Sequence, residues 1–150
     1  MWDYPRPPAI APTDRHVSVV HRGVVIADTR RAIRILETSQ PPAFYVPPDD
    51  VAIEHLYRTR RRSYCEWKGA ASYWAVQVGD VVVLDAAWSY EQPDRRYAAI
   101  THHLAFYAQR LDECRVDGEL VRPNPGLFYG GWITADVVGP FKGDPGTSGW

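Results

Sequence analysis

The sequence predicts a mainly β domain, α+β at most, built from antiparallel strands with one or two short helices. Three observations lead there. Runs of β-branched and aromatic residues four to six long recur along the chain. Glycine- or proline-containing turn pairs separate them. No stretch carries the 3.6-residue apolar period of a long amphipathic helix, and no internal repeat is visible.

The elements follow in order. Residues 1–14 are proline-rich and read as an extended segment, with Trp2 and Tyr4 available to pack onto the domain. Val17 to Ala27 reads as a hairpin turning near His21-Arg22-Gly23, because Gly23 tolerates the positive φ that such turns require. Ala32 to Glu37 alternates apolar and polar residues, a third strand with Ile33 and Ile35 facing away from Arg34. Pro41-Pro42 and Pro47-Pro48 bracket a short aromatic strand, Ala43 to Val46, since proline cannot donate to a ladder. Asp49 or Asp50 is placed to cap a short helical turn carrying Val51, Ile53 and Leu56. The run Arg58-Thr59-Arg60-Arg61-Arg62 reads as solvated loop charge.

Tyr73 to Val78 and Val81 to Ala86 are two strong strands around the turn pair Gly79-Asp80. The second is almost wholly apolar and is expected at the centre of a sheet. Pro93 to Arg96 starts a short helix or loop, and Leu104 to Tyr107 fits either strand or helix. Asp117-Gly118 turns a last hairpin between Cys114-Arg115-Val116 and Glu119-Leu120-Val121. The organisation is therefore an extended segment (1–14), a β-rich domain (15–121) and an irregular Gly/Pro/aromatic tail (122–150) packing on it.

At 150 residues and 17.0 kDa the chain fits one domain with a sizeable core. A formal net charge of −1 argues against nucleic acid or an anionic membrane as partner. Two cysteines make neither a disulfide framework nor a four-ligand zinc site. No secretory signal and no apolar run of the roughly 20 residues that span a bilayer is visible. The expectation is a cytoplasmic protein; a homodimer is compatible with the sequence.

The chemistry concentrates in Cys65-Glu66-Trp67-Lys68-Gly69-Ala70-Ala71-Ser72-Tyr73-Trp74, answered by Trp88-Ser89-Tyr90. A thiol, a carboxylate and an amine stand there beside indole and phenol rings. Lys68 is one of two lysines, the other fifteen cations being arginines. Cys65 is a nucleophile candidate if Lys68 stabilises its thiolate, with His55, His102 or His103 as base; the alternative is a small buried hydrophobe. Lys68 could hold an anionic group or act as an amine base, or instead satisfy Glu37, Glu66 or Asp28. Gly69 reads as a turn or a close backbone approach. Arg58 to Arg62, with Tyr57 and Tyr64, could grip a nucleic-acid backbone. His102-His103 lacks metal-motif spacing, and no metal and no cofactor are expected.

Several motifs recur together in a known family. Val25-Ile26-Ala27-Asp28-Thr29, Leu36-Glu37-Thr38, Tyr45-Val46-Pro47, the Cys65–Tyr73 segment, Ala87-Trp88-Ser89-Tyr90 and Ala105-Phe106-Tyr107 resemble the DUF427 family, also labelled "nucleotidyltransferase". The resemblance covers about residues 15–113, and Gly130 to Gly143 is similar to an extended subgroup. Glu66 departs from the family's usual proline and aromatic after the cysteine. What the resemblance implies is a compact antiparallel two-sheet domain of the β-tent kind. The nucleotidyl label finds no partner in the chain, which lacks both a phosphate-cradling loop and an Asp-x-Asp pair.

The leading expectation is a small-molecule-binding domain. Tyr45, Trp67, Tyr73, Trp88 and Tyr90 would line an aromatic pocket, with Lys68 and Glu37 fixing polar groups and Cys65 nearby. The same pocket could instead be an active site using Cys65, Lys68 or Glu37. A third reading is a partner- or nucleic-acid-interaction module built on Arg58 to Arg62.

Overall fold

A computed structural model of the chain describes residues 9–36, 43–65, 68–123 and 131–134. The strands are β1 (Ala9–Pro12), β2 (Val17–His21), β3 (Val24–Thr29), β4 (Ile33–Leu36), β5 (Ala43–Tyr45), β6 (Leu56–Cys65) and β7 (Gly69–Val78). They continue as β8 (Val81–Ser89), β9 (Leu104–Phe106), β10 (Glu113–Val116), β11 (Glu119–Leu120), β12 (Arg122–Pro123) and β13 (Trp132–Ile133). Helical structure among the described residues is limited to three single 3-10 turns and a six-residue 3-10 segment, Arg95–Ile100, kinked at Tyr97. The mainly β expectation holds.

One layer is the sheet β11-β10-β2-β3. Its hairpins turn where the sequence indicates: Arg22 and Gly23 have φ of 49° and 77°, Asp117 and Gly118 of 50° and 83°. Paired positive φ gives a turn whose twist matches that of the flanking strands. Asp117 also accepts from Arg15 Nε (2.9 Å) and from the His16 backbone N–H (2.8 Å). That clamps the hairpin end onto the chain entering β2.

The second layer comprises β1-β4-β5 and β6-β7-β8-β9, joined edge to edge. Val46 and Leu104 exchange both backbone hydrogen bonds, at 2.8 and 2.9 Å, and stitch β5 to β9. The seven strands thus run in the order β1-β4-β5-β9-β8-β7-β6, all antiparallel. Because side chains alternate across a strand, this sheet has two distinct faces. One packs Phe44, Val46, Val76, Leu104 and Phe106 against Val17, Val19 and Ile26 of the first layer. The other carries Ile35, Tyr45, Tyr73, Trp88 and Ala105, joined by Tyr90, Tyr97, Ile100 and Tyr107.

Several local expectations are corrected. The arginine run lies inside β6, a ten-residue edge strand rather than a loop. Neither Asp49 nor Asp50 caps a turn through its side chain; the Asp50 carboxylate accepts from Thr29 Oγ1 (2.6 Å) and Arg31 (3.2 Å) instead. Strand β8 is central as expected, but β9 pairs only with Ala87–Ser89, so the first half of β8 runs past it and Leu84 is 62 % exposed. Leu104–Tyr107 resolves as strand over Leu104–Phe106. In the tail, β12 pairs with β13, and Trp132 stacks on Phe44 (centroids 5.4 Å apart) while donating its indole N–H to the Phe106 carbonyl (2.8 Å). No helix among the described residues is long and apolar enough to cross a membrane.

Candidate functional site

The strands bring Tyr45, Lys68, Tyr73, Trp88 and Tyr90 into one cluster, with half-buried Cys65 packed at its margin. In register, Tyr73 stands opposite Trp88, and Trp88 opposite Ala105. The Trp88 indole N–H donates to the Tyr45 hydroxyl at 3.2 Å. The Tyr45 ring meets Trp88 edge-on (6.0 Å, 85°), and Tyr107 lies 4.6 Å from Trp88 on its other side. Five tyrosines and one tryptophan of this face are buried together.

Lys68 enters from the end of the β6–β7 hairpin, where Cys65 pairs with Gly69. Its backbone carbonyl accepts from Asp94 N at 3.0 Å, which ties the hairpin end to the loop leading into Arg95–Ile100. The Lys68 side chain is only 4 % exposed, and its Nζ lies 5.9 Å from the Tyr90 ring centroid, a cation–π approach. Gly69 has φ +105°, a conformation that residues with a Cβ rarely adopt, while an added Cβ would meet the Gln92 carbonyl at 3.5 Å, an ordinary contact. Of the two readings of Gly69, the turn holds, and the space around it leaves room for a Cβ. Glu37 and Trp67 lie outside the described residues, as does Glu66.

A second constellation adjoins the first and was not foreseen. Between Trp74 and Ser72 of β7, strand β6 advances from Arg58 to Arg62, two residues more than its partner. Between Trp74 and Val76, β8 retreats from Ala87 to Val83, again two more. Both neighbours of β7 thus bulge at nearly the same level, and bulges re-aim side chains. Asp85 sits in the β8 bulge with φ 51°, a left-handed conformation uncommon outside glycine. Its carboxylate accepts from Thr59 Oγ1 (2.8 Å) and stands 3.8 Å from Arg61. Arg61 lies over the Tyr73 ring at 4.6 Å; the Tyr73 hydroxyl meets Ser63 Oγ at 2.7 Å, and Tyr107 belongs to the same buried cluster. Arg110 lies over the Tyr107 ring at 5.8 Å and donates to the Leu84 carbonyl in the bulge (3.1 Å). Burial, and then the neighbouring Tyr73, raise the Tyr107 phenol well above its ordinary value, against the pull of Arg61 and Arg110. The sequence held one signal for this site: an aspartate interrupting the otherwise apolar run Val81–Ala86.

The remaining candidates disperse. Both cysteines are free thiols, and burial pushes the Cys114 thiol up to about 12. His55 Nδ1 meets the Gln77 carbonyl (3.0 Å) and His103 Nδ1 that of Thr101 (3.1 Å), so a backbone carbonyl engages the Nδ1 of each ring. Asp28 meets His16 at 2.8 Å rather than Lys68. The arginine run divides between faces. Arg58 bonds Glu91 and Ser72, whereas Arg61 stacks on Tyr73, the next residue along β7 and hence on the opposite side. Among the described residues no group of three or more His, Cys, Asp or Glu side chains could hold a metal ion.

A family model described as a domain of unknown function, DUF427, matches residues 9–117. The chain belongs to the DUF427 family. Comparison with curated proteins returns no match. The DUF427 match runs from β1 to the hairpin turn after β10 and contains all of the tyrosine-rich cluster. It stops short of Trp132, which nonetheless packs into the aliphatic core.

Proposed function

We propose that this DUF427 domain binds a small polar or aromatic ligand at the tyrosine-rich face, around Cys65–Lys68 and Trp88–Tyr90. The observation that carries the reading is the contrast between the two faces of one sheet. The face toward the first layer is filled by aliphatic side chains with Phe44, Phe106 and Trp132, which is all that a core requires. The other collects five tyrosines, Trp88 and the ammonium of Lys68, groups that carry hydrogen-bonding or charged ends and are costly to bury for packing alone. Apolar walls with few convergent polar groups make up most small-molecule sites. The test is a thermal-shift screen of aromatic and polar metabolite-like compounds on the full chain. A hit that stabilises the wild type but not Trp88→Phe or Lys68→Met supports the reading; a hit whose stabilisation is unchanged in both variants assigns binding elsewhere and removes it.

A covalent role for the same site is favoured by the position of Cys65, half-buried against the cluster while the other thiol is fully enclosed. Alkylation rates against pH, in Cys114→Ser with and without Lys68→Ala, test it. Reaction persisting well below the ordinary thiol range of about 8.5, and lost with Lys68→Ala, would make Cys65 a nucleophile. A thiol inert until unfolding is a packing residue.

A further inference from the structure

We propose that the paired bulges form an oxyanion-binding subsite, in which Arg61 and Arg110 hold a carboxylate or phosphate group of a small ligand beside Tyr107 and the linked hydroxyls of Ser63 and Tyr73. The subsite deepens the preceding reading and rests on it in one respect: Tyr73 belongs to both constellations, so the anion is the acidic end of the ligand whose body meets the aromatic face.

Charge is the first argument. Two guanidinium groups and one carboxylate meet here, leaving a net positive site. The Arg61–Asp85 contact is loose at 3.8 Å, and Asp85 is already engaged by Thr59. Among the described residues the Arg110 side chain forms a single hydrogen bond, to the Leu84 carbonyl, and its buried Nε has no hydrogen-bond partner. A buried donor on a charged group is costly to leave unmatched, and a planar guanidinium fork suits the two oxygens of a carboxylate or phosphate.

Geometry is the second. Arg61 and Arg110 come from different elements, β6 and the 3-10 turn Ala108–Arg110, yet each is laid over one of two tyrosines, Tyr73 and Tyr107, that belong to one buried cluster. Both cations therefore lie against phenol rings of the same cluster. The site is open enough to be reached: the Arg61 side chain is 37 % exposed, and Ser63 and Arg110 are half-buried. The third argument is backbone strain. A left-handed Asp85 within the β8 bulge is retained at a cost, and strained backbone of this kind clusters at ligand-binding sites. It places the carboxylate to orient Thr59 and Arg61 rather than to pair fully with either cation.

The experiment is calorimetric titration of the full chain with inorganic phosphate, benzoate and benzyl alcohol at fixed ionic strength. Wild type is compared with Arg110→Gln, Arg110→Lys, Arg61→Gln and, as a surface control, Arg60→Gln. Far-UV circular dichroism confirms that each variant is folded, and the two Arg110 variants and Arg61→Gln report independently if one is not. Phosphate or benzoate should bind the wild type. Loss of charge-assisted hydrogen bonds in Arg110→Gln and Arg61→Gln should weaken that binding by about 10-fold or more. Arg110→Lys should recover part of it, and Arg60→Gln should leave it intact. Whichever anion binds more tightly names the acidic group. No binding of either anion, or an equal loss in Arg60→Gln, overturns the subsite. Benzyl alcohol carries no charge and reports on the aromatic face alone. Anion binding without any response to benzyl alcohol or to Trp88→Phe would retire the aromatic reading while the oxyanion subsite stands.

Discussion

Trp132 lies beyond the segment that the family model matches, yet the structure gives it one of the most enclosed positions in the protein, 1 % exposed. Its removal should therefore weaken the whole domain and not merely loosen a tail. Burying an aromatic side chain of about 200 Å² at about 25 cal/mol per Å² contributes about 5 kcal/mol, and a compact unfolded state reduces this to about 3–4 kcal/mol. Losing the indole N–H leaves the Phe106 carbonyl without that donor, a further cost of about 1 kcal/mol. Trp132→Ala should thus cost about 4–5 kcal/mol, in line with large-to-small core substitutions generally. Trp132→Phe keeps the stacking on Phe44 and should cost about 2 kcal/mol, half from lost area and half from the hydrogen bond. Urea unfolding followed by far-UV circular dichroism measures both, and an unchanged m-value is needed for the comparison to report stability. A loss below about 1.5 kcal/mol for Trp132→Ala would refute the reasoning, because no single mechanism of core disruption is that mild for a fully buried tryptophan.

Three further outcomes are expected. The Thr29 hydroxyl, helped by Arg31, holds the Asp50 carboxyl below its ordinary 3.8, so this contribution to stability is present above that value and lost as pH falls through the lower folded one. Thr29→Val should cost about 1.5–3 kcal/mol at pH 7 and lose less on acidification than the wild type; parallel urea midpoints between pH 7 and pH 3 would contradict this. Both amide atoms of Gln109 are buried without a hydrogen-bond partner among the described residues, so Gln109→Met should raise the melting temperature by about 3 °C, and a lower melting temperature would show that the amide is satisfied in solution. Gly69→Ala forces a Cβ onto φ +105° and should destabilise by about 1–3 kcal/mol while perturbing Tyr90 and Lys68, seen in thermal unfolding and near-UV circular dichroism; a neutral result would place the hairpin end in another conformation.

The tyrosine-rich face was legible in part. Trp88 and Tyr90 alternate along one strand, so their common direction follows from the two-residue period alone. Tyr73 joins them through the local β7–β8 hairpin, but that Tyr45 would do so depends on β5 meeting β9 through Val46 and Leu104, a pairing between segments 58 residues apart in number that no local pattern encodes. The arginine run illustrates the reverse error. Charge density suggested a loop, but an edge strand pairs on one side only and tolerates charge along it, and ladder pairing with β7 from Leu56 to Cys65 decided the strand although only Leu56 is buried.

By itself the sequence determined the mainly β class, the hairpin turns at Arg22-Gly23, Gly79-Asp80 and Asp117-Gly118, and the family. Each of these rests on residues close together in the chain: glycine or aspartate where φ must be positive, and alternation where one face is buried. Only the tertiary structure decided which face of the long sheet became aliphatic core and which became tyrosine-rich. The same holds for the two bulges aligning across β7, and for Arg61 and Arg110 each lying over a tyrosine of one cluster. Those outcomes depend on strand order and register, set by the packing of all layers at once, and a shift of one residue in any strand would have turned its side chains to the opposite face.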